Sequence, residues 1–188
     1  AMGCKPGDYL MLLTAKEHVG NVSGTRGKEV YLMNVGIFGL FILAYYNLIG
    51  ASFNSVTFGI IFCMLCTANS GSHPGNVWPI MLGYVVGSFG FAALSGLAGG
   101  NYAMTINAQA IAIGLCFANG LSPITSKYGW FYGLVSAVMH FLLVTSVPNM
   151  HGGFCLYNGG FTAAVICVLL VPVLEKCVKT KAEKAAAK

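Results

Sequence analysis

The sequence predicts an all-α membrane protein of about six transmembrane or part-spanning helices, some of them short or re-entrant. Three observations predict it. Between Glu29 and Glu175 the only formal charge is Lys127. Apolar residues make up 56% of the 188 residues and charged ones 8%, whereas soluble domains run near a quarter charged. Apolar segments recur along the chain, separated by Gly, Pro, Ser and Asn clusters that break helices. With a mean hydropathy of +0.74, the chain has too little charge to cover a globule of its size, and lipid removes that requirement.

Residues 1–29 read as an interfacial or soluble lead in which Gly20, Gly24 and Gly27 prevent a long helix. Residues 30–175 read as the transmembrane domain and 176–188 as a basic cytoplasmic tail. Within the domain the apolar segments are Val30–Asn47, Val56–Ala68, Val77–Ala98, Thr105–Phe117, Tyr128–Val147 and Phe161–Leu174. A full crossing takes about 20 residues. The first, third and fifth segments meet that or nearly do, and the second, fourth and sixth fall short.

An asparagine lies near the start of each short segment: Phe53-Asn54, Ile106-Asn107 and Tyr157-Asn158. The asparagines lie about 50 residues apart, the kind of spacing that marks an internal repeat. Ala68-Asn69 leads to Pro74 and Trp78 much as Ala118-Asn119 leads to Pro123 and Trp130.

The Lys and Arg excess marks cytoplasmic flanks. Both ends are basic, so both termini are expected in the cytoplasm with an even number of crossings. Six crossings also put the Ser122–Lys127 loop there. The net charge of +5 belongs to these flanks and gives no basic face for nucleic acid. The chain begins at Ala1 with no signal pattern, which leaves an artificial start or a fragment of a longer polypeptide.

The short segments carry the functional expectation. Apolar runs too short to cross, with polar starts and flanking Gly or Pro, are how broken helices look in sequence. Exposed backbone groups at membrane depth are tolerated where they line a wet cavity, and an amide side chain offers both donor and acceptor. Asn54, Asn107, Gln109 and Asn158 are candidates, with Asn69 and Asn119 at the far ends of the short segments. The alternative reading of each Asn is an ordinary helix cap. Gly83, Gly87 and Gly90, with Ser88 and Ala92, form a small-residue face suited to close helix packing. Gly159-Gly160 after Asn158, with Gly152-Gly153 upstream, imply backbone that passes close to something.

His140 is the only histidine inside a full segment, and an ionisable residue there is a functional candidate. No Asp or Glu lies between residues 30 and 174, so the expected state is a neutral, hydrogen-bonded imidazole. His73 and His151 sit in loops and are expected to have no role. Cys63-x-x-Cys66 shares a helix face, but further ligands at metal spacing are missing, so cysteine as a small packing residue is the expectation.

The missing carboxylates decide between classes. Ion-coupled transporters place acids in their spans, hydrolases need an acid/base pair or metal ligands, and no phosphate-cradling Gly-Lys-Ser/Thr motif occurs. No enzymatic activity, metal or cofactor is expected.

The run Asn119-Gly-Leu-Ser-Pro-Ile-Thr-Ser-Lys-Tyr-Gly-Trp130, a span containing His140, then Tyr157-Asn-Gly-Gly-Phe-Thr-Ala-Ala164 and Val171-Pro-Val-Leu-Glu175 resembles the C-terminal half of a family of uncharacterised polytopic bacterial membrane proteins. The resemblance covers most of the chain from about residue 30 and implies a bacterial cell membrane and a missing N-terminal half, but no function. Leu156-Tyr-Asn-Gly-Gly-Phe161 and Phe53-Asn-Ser55 are also similar to the Phe-Asn-Gly motif that opens short pore helices in urea transporters. That similarity would place Phe53, Asn54, Tyr157 and Asn158 at a pore. Ser55 departs from the motif's glycine, and the parallel repeat departs from that family's inverted halves.

The expected function is a channel or facilitative transporter for a small uncharged or weakly charged polar solute. Its solute pathway would use Phe53, Asn54, Asn107, Gln109, His140, Tyr157 and Asn158. The partners expected are the bilayer, the solute, and either further copies in a homo-oligomer or the missing half. The alternatives are a solute-binding membrane subunit of a larger importer and a structural or assembly membrane protein.

Overall fold

In the computed structural model, residues 6–100, 105–150 and 158–187 are described. They form helices and no strand. The lead holds α1 (Pro6–Leu13) and α2 (Val22–Thr25). The bundle is α3 (Lys28–Leu48), α4 (Ser55–Cys66), α5 (Pro74–Leu97), α6 (Gln109–Ala118), α7 (Ser122–Tyr128), α8 (Trp130–Met150) and α9 (Asn158–Cys177). A 3-10 turn, Asn119–Leu121, joins α6 to α7, and α10 (Lys181–Ala186) closes the chain.

α3, α5, α8 and α9 are each long and apolar enough to cross a membrane. The protein is an integral, multi-pass membrane protein. Its helices are apolar on both faces: α3 buries Val30, Asn34, Phe38, Ile42 and Tyr46, a stripe at every fourth residue, while Leu32, Leu40 and Leu43 point outward. A water-facing helix would carry polar residues on that second face.

The sixth segment corrects the expectation. It is not short: α9 has 20 residues, because Asn158, Gly159 and Gly160 are helical and Pro172 does not end the helix. α4 and α6 are short, with 12 and 10 residues, about 18 and 15 Å at the helical rise. Asn107 lies before α6 rather than at its first turn, since helix starts only at Gln109.

α4 and α6 run parallel. Gln109 Nε2 donates to Asn54 Oδ1 at 3.0 Å at their starts, Cys116 Sγ reaches the Ile60 carbonyl midway, and Asn119 Nδ2 donates to Thr67 Oγ1 at their ends. α5 and α8 are parallel as well. Trp78 and Trp130 stack at their starts, and further along, Gly83 faces Ala137 and Gly87 faces Phe141. A Cβ on Gly83 would stand 2.6 Å from that of Ala137, and one on Gly87 2.8 Å from the Phe141 ring. These glycines let the two helices touch; Gly90, with nothing within 4 Å, takes no part.

The lead, the turn between α4 and α5, α7 and α10 share one end of the bundle. Val22 N donates to the Asn69 carbonyl and Ser23 N to Asn69 Oδ1. Gly71, at φ +99°, comes so close to the Val19 carbonyl that a Cβ would stand 2.3 Å from it. Lys127 on α7 pairs with Glu175 near the end of α9 at 3.0 Å. This is the basic end, and both ends of the described chain lie on it.

Candidate functional site: polar zones along the bundle

At the far end, the candidate amides gather around the starts of the short helices. Asn54 is an N-cap: its Oδ1 accepts from Val56 N at 3.0 Å and Thr57 N at 3.1 Å, besides Gln109. Asn107 Oδ1 accepts from Thr105 Oγ1. Asn54, Asn107 and Gln109 are all exposed. The Phe53 ring is half-exposed and lies against Phe58. Beside them is a cavity of about 280 Å³ lined by Ile49, Ser88, Phe89, Ala92, Thr105, Ile106 and Asn107. Its polar groups are hydroxyls and an amide, and it carries no formal charge. Tyr157 lies outside the described residues, as does the side chain of Asn158; His151 does too.

Midway along the bundle, His140 is fully buried and fully bonded. Its Nε2 lies 2.9 Å from the Gly159 carbonyl and 3.0 Å from Thr162 Oγ1, and its Nδ1 lies 2.6 Å from the Tyr84 hydroxyl. A carbonyl can only accept, so Nε2 carries a proton, and Nδ1 pairs with the Tyr84 hydroxyl. This is the hydrogen-bonded imidazole expected. The contact also sets a level. His140 is the middle residue of the 21-residue α8, so α9 begins at mid-height of α8 and not at its outer end. Gly159 is needed there, since a Cβ would meet the Phe117 ring at 2.3 Å.

The densest polar zone is at the basic end, where sequence reasoning placed only Asn69 and Asn119. Asn34 Nδ2 donates to the Ala68 and Ser72 carbonyls, and its Oδ1 accepts from Tyr9. Ser72 and Ser122 hydroxyls meet at 3.0 Å. Asn76 accepts from His73 N and donates to the Gly71 carbonyl and to Ser126 Oγ. All of these side chains but Tyr9's join elements of the bundle, and all are buried. The available signal was spacing, because Ser72–Ser122 and Asn76–Ser126 are each 50 residues apart.

His73 is likewise no idle loop residue. It caps the start of α5, is only 6% exposed, and its Nδ1 has no hydrogen-bond partner. Burial, with His18 and Lys181 nearby, lowers its pKa to about 4. Among the described residues no group of three His, Cys, Asp or Glu side chains is placed to hold a metal. Cys63 and Cys66 are exposed on α4, and the buried thiol is Cys116.

The sequence model of a family described as a protein of unknown function, DUF1576, matches residues 17–176. The chain belongs to the DUF1576 family. The match begins after α1 and ends one residue past Glu175, so it takes in the bundle residues of all three polar zones and leaves out Tyr9. No curated protein and no solved structure matches the chain.

Proposed function

We propose that this DUF1576 protein is a channel or facilitative transporter for a small uncharged or weakly charged polar solute. The observation that carries the reading is the 280 Å³ cavity at the far end, where Ser88, Thr105 and Asn107 share the lining with the apolar Ile49, Phe89, Ala92 and Ile106. Small-molecule sites are mostly apolar concavities with a few placed polar groups, and this volume is near their lower bound of about 300 Å³. Hydroxyls and an amide suit a neutral hydrogen-bonding solute, and the lack of Asp or Glu between residues 30 and 174 argues against ion coupling. On this reading the chain is a passage and not an enzyme.

The parallel pairing of α4 with α6 and α5 with α8 supports an internal repeat of about 50 residues. Contacts between residues 50 to 56 apart, from Ser72–Ser122 to Tyr84–His140, follow when two similar hairpins meet around an axis along the bundle. The basic end would face the cytoplasm of a bacterial cell, as the distribution of Lys and Arg predicts.

The test is osmotic swelling of liposomes carrying the full chain, across a panel of small neutral solutes. Swelling above protein-free liposomes is expected for at least one solute. Ser88→Leu and Asn107→Leu, which fill the cavity, should cut that rate severalfold. Rates equal to protein-free liposomes for every solute, or unchanged in both variants, overturn the proposal.

A further inference from the structure

A second concavity opens at the basic end, between the lead and the last helix. It measures about 820 Å³ and is lined by Lys16, His18, Thr25 and Arg26 on one side and by Ala182, Ala185 and Ala186 of α10 on the other. The alanines lie at i, i+3 and i+4, so α10 turns one small apolar face to the groove. Its Lys181 and Lys184 stand off that lining.

The charges of this groove are unspent. Among the described residues the ion pair formed is Lys127–Glu175. The Glu183 carboxylate accepts from Thr180 N, and Glu183 N donates to Thr180 Oγ1, a capping box within α10. Glu17 is in the groove lining but makes no ion pair with Lys16 or Arg26. Among the described residues, Lys16 and Arg26 therefore line a common concavity with Glu17 and form no ion pair there. Arg presents a fork that matches phosphate oxygens, and Lys serves as a point charge beside it.

The position selects the source of the phosphate. Arg26 is two residues before Lys28, where the membrane-crossing α3 begins, and α10 begins at Lys181, four residues after α9 ends at Cys177. A groove at that level, cationic on one wall and apolar on the other, matches the junction of a lipid headgroup with its glycerol backbone. Basic residues close to a membrane surface are attracted to anionic lipid.

We propose that this groove binds the phosphate headgroup of an anionic phospholipid, with Lys16 and Arg26 on the phosphate, the Thr25 hydroxyl as a further donor, and the α10 alanines against the glycerol. The proposal does not depend on solute passage. It is tested by native mass spectrometry of the full chain released from nanodiscs of phosphatidylglycerol mixed with phosphatidylcholine.

The wild type is expected to retain phosphatidylglycerol selectively, and Lys16→Gln/Arg26→Gln to lose most of it. Lys179→Gln/Lys184→Gln removes the same charge from exposed positions outside the groove and is expected to retain the lipid. Equal retention by the groove variant overturns the proposal, and so does equal loss by the control pair, which would show an unspecific field. Displacement by millimolar inorganic phosphate would make the occupant a soluble anion and overturn the lipid assignment. Circular dichroism of each variant, expected to match the wild type, keeps a loss of binding separate from a loss of fold.

Discussion

The two ends of the bundle use the same side chains under opposite conditions. At the far end Asn54, Asn107 and Gln109 are exposed, and their bonds are to their own helix starts or to one another. At the basic end Asn34, Ser72, Asn76 and Ser122 are buried, and their bonds join α3, the α4–α5 turn, α5 and α7. An exposed amide exchanges one partner for another at little cost, whereas a buried one that loses its partner keeps the desolvation penalty. The same chemistry is therefore exchangeable at one end and structural at the other.

The largest expected effect is on the basic end and is a pH dependence. His73 folds as the neutral form, with a pKa of about 4 against an ordinary 6.5. As pH falls through 6.5 the unfolded chain takes up a proton that the folded chain refuses until about pH 4. The unfolded state then binds more protons, so stability is full above 6.5 and declines between 6.5 and 4. The loss should approach about 3 kcal/mol at the low end of that window. Thermal unfolding in detergent from pH 8 to 4.5 measures it, and His73→Asn should flatten the curve. A wild-type curve as flat as the variant's would show that His73 is not held neutral.

Next comes Asn76→Ala, which removes bonds to His73 N, the Gly71 carbonyl and Ser126 Oγ together. It should cost about 2 kcal/mol in the same unfolding measurement. The smallest effect belongs to the far end. Asn54→Ala loses a cap and should cost about 1 kcal/mol. If Asn54→Ala proved costlier than Asn76→Ala, the contrast between the ends would fail.

Much of the fold was legible because lipid imposes simple demands. Charge-poor runs of crossing length gave α3, α5 and α8 nearly to their ends. Gly83 and Gly87 read correctly as a packing face. His140 read correctly as hydrogen-bonded, with no acid between residues 30 and 174 to pair with it. The length of α9 was missed because a Gly-Gly pair usually ends helical structure, while here Gly159 is required by the Phe117 ring and anchored by His140. His73 was missed for a different reason. Its burial comes from His18 and the lead folding back over the α4–α5 turn, a contact between segments with no pattern in common.

Sequence alone determined that this chain lives in a membrane, that its charges collect at one end, and that its polar interior groups are uncharged. Each follows from composition, since every apolar span must satisfy the same solvent. Only the tertiary structure decided which asparagines are buried, that α4 and α6 lie side by side, and that α9 starts at the middle of α8. Those depend on which helix touches which, and a nearly uniform apolar sequence does not specify its neighbours. The choice rests on a few small residues and bonded polar pairs far apart in the chain.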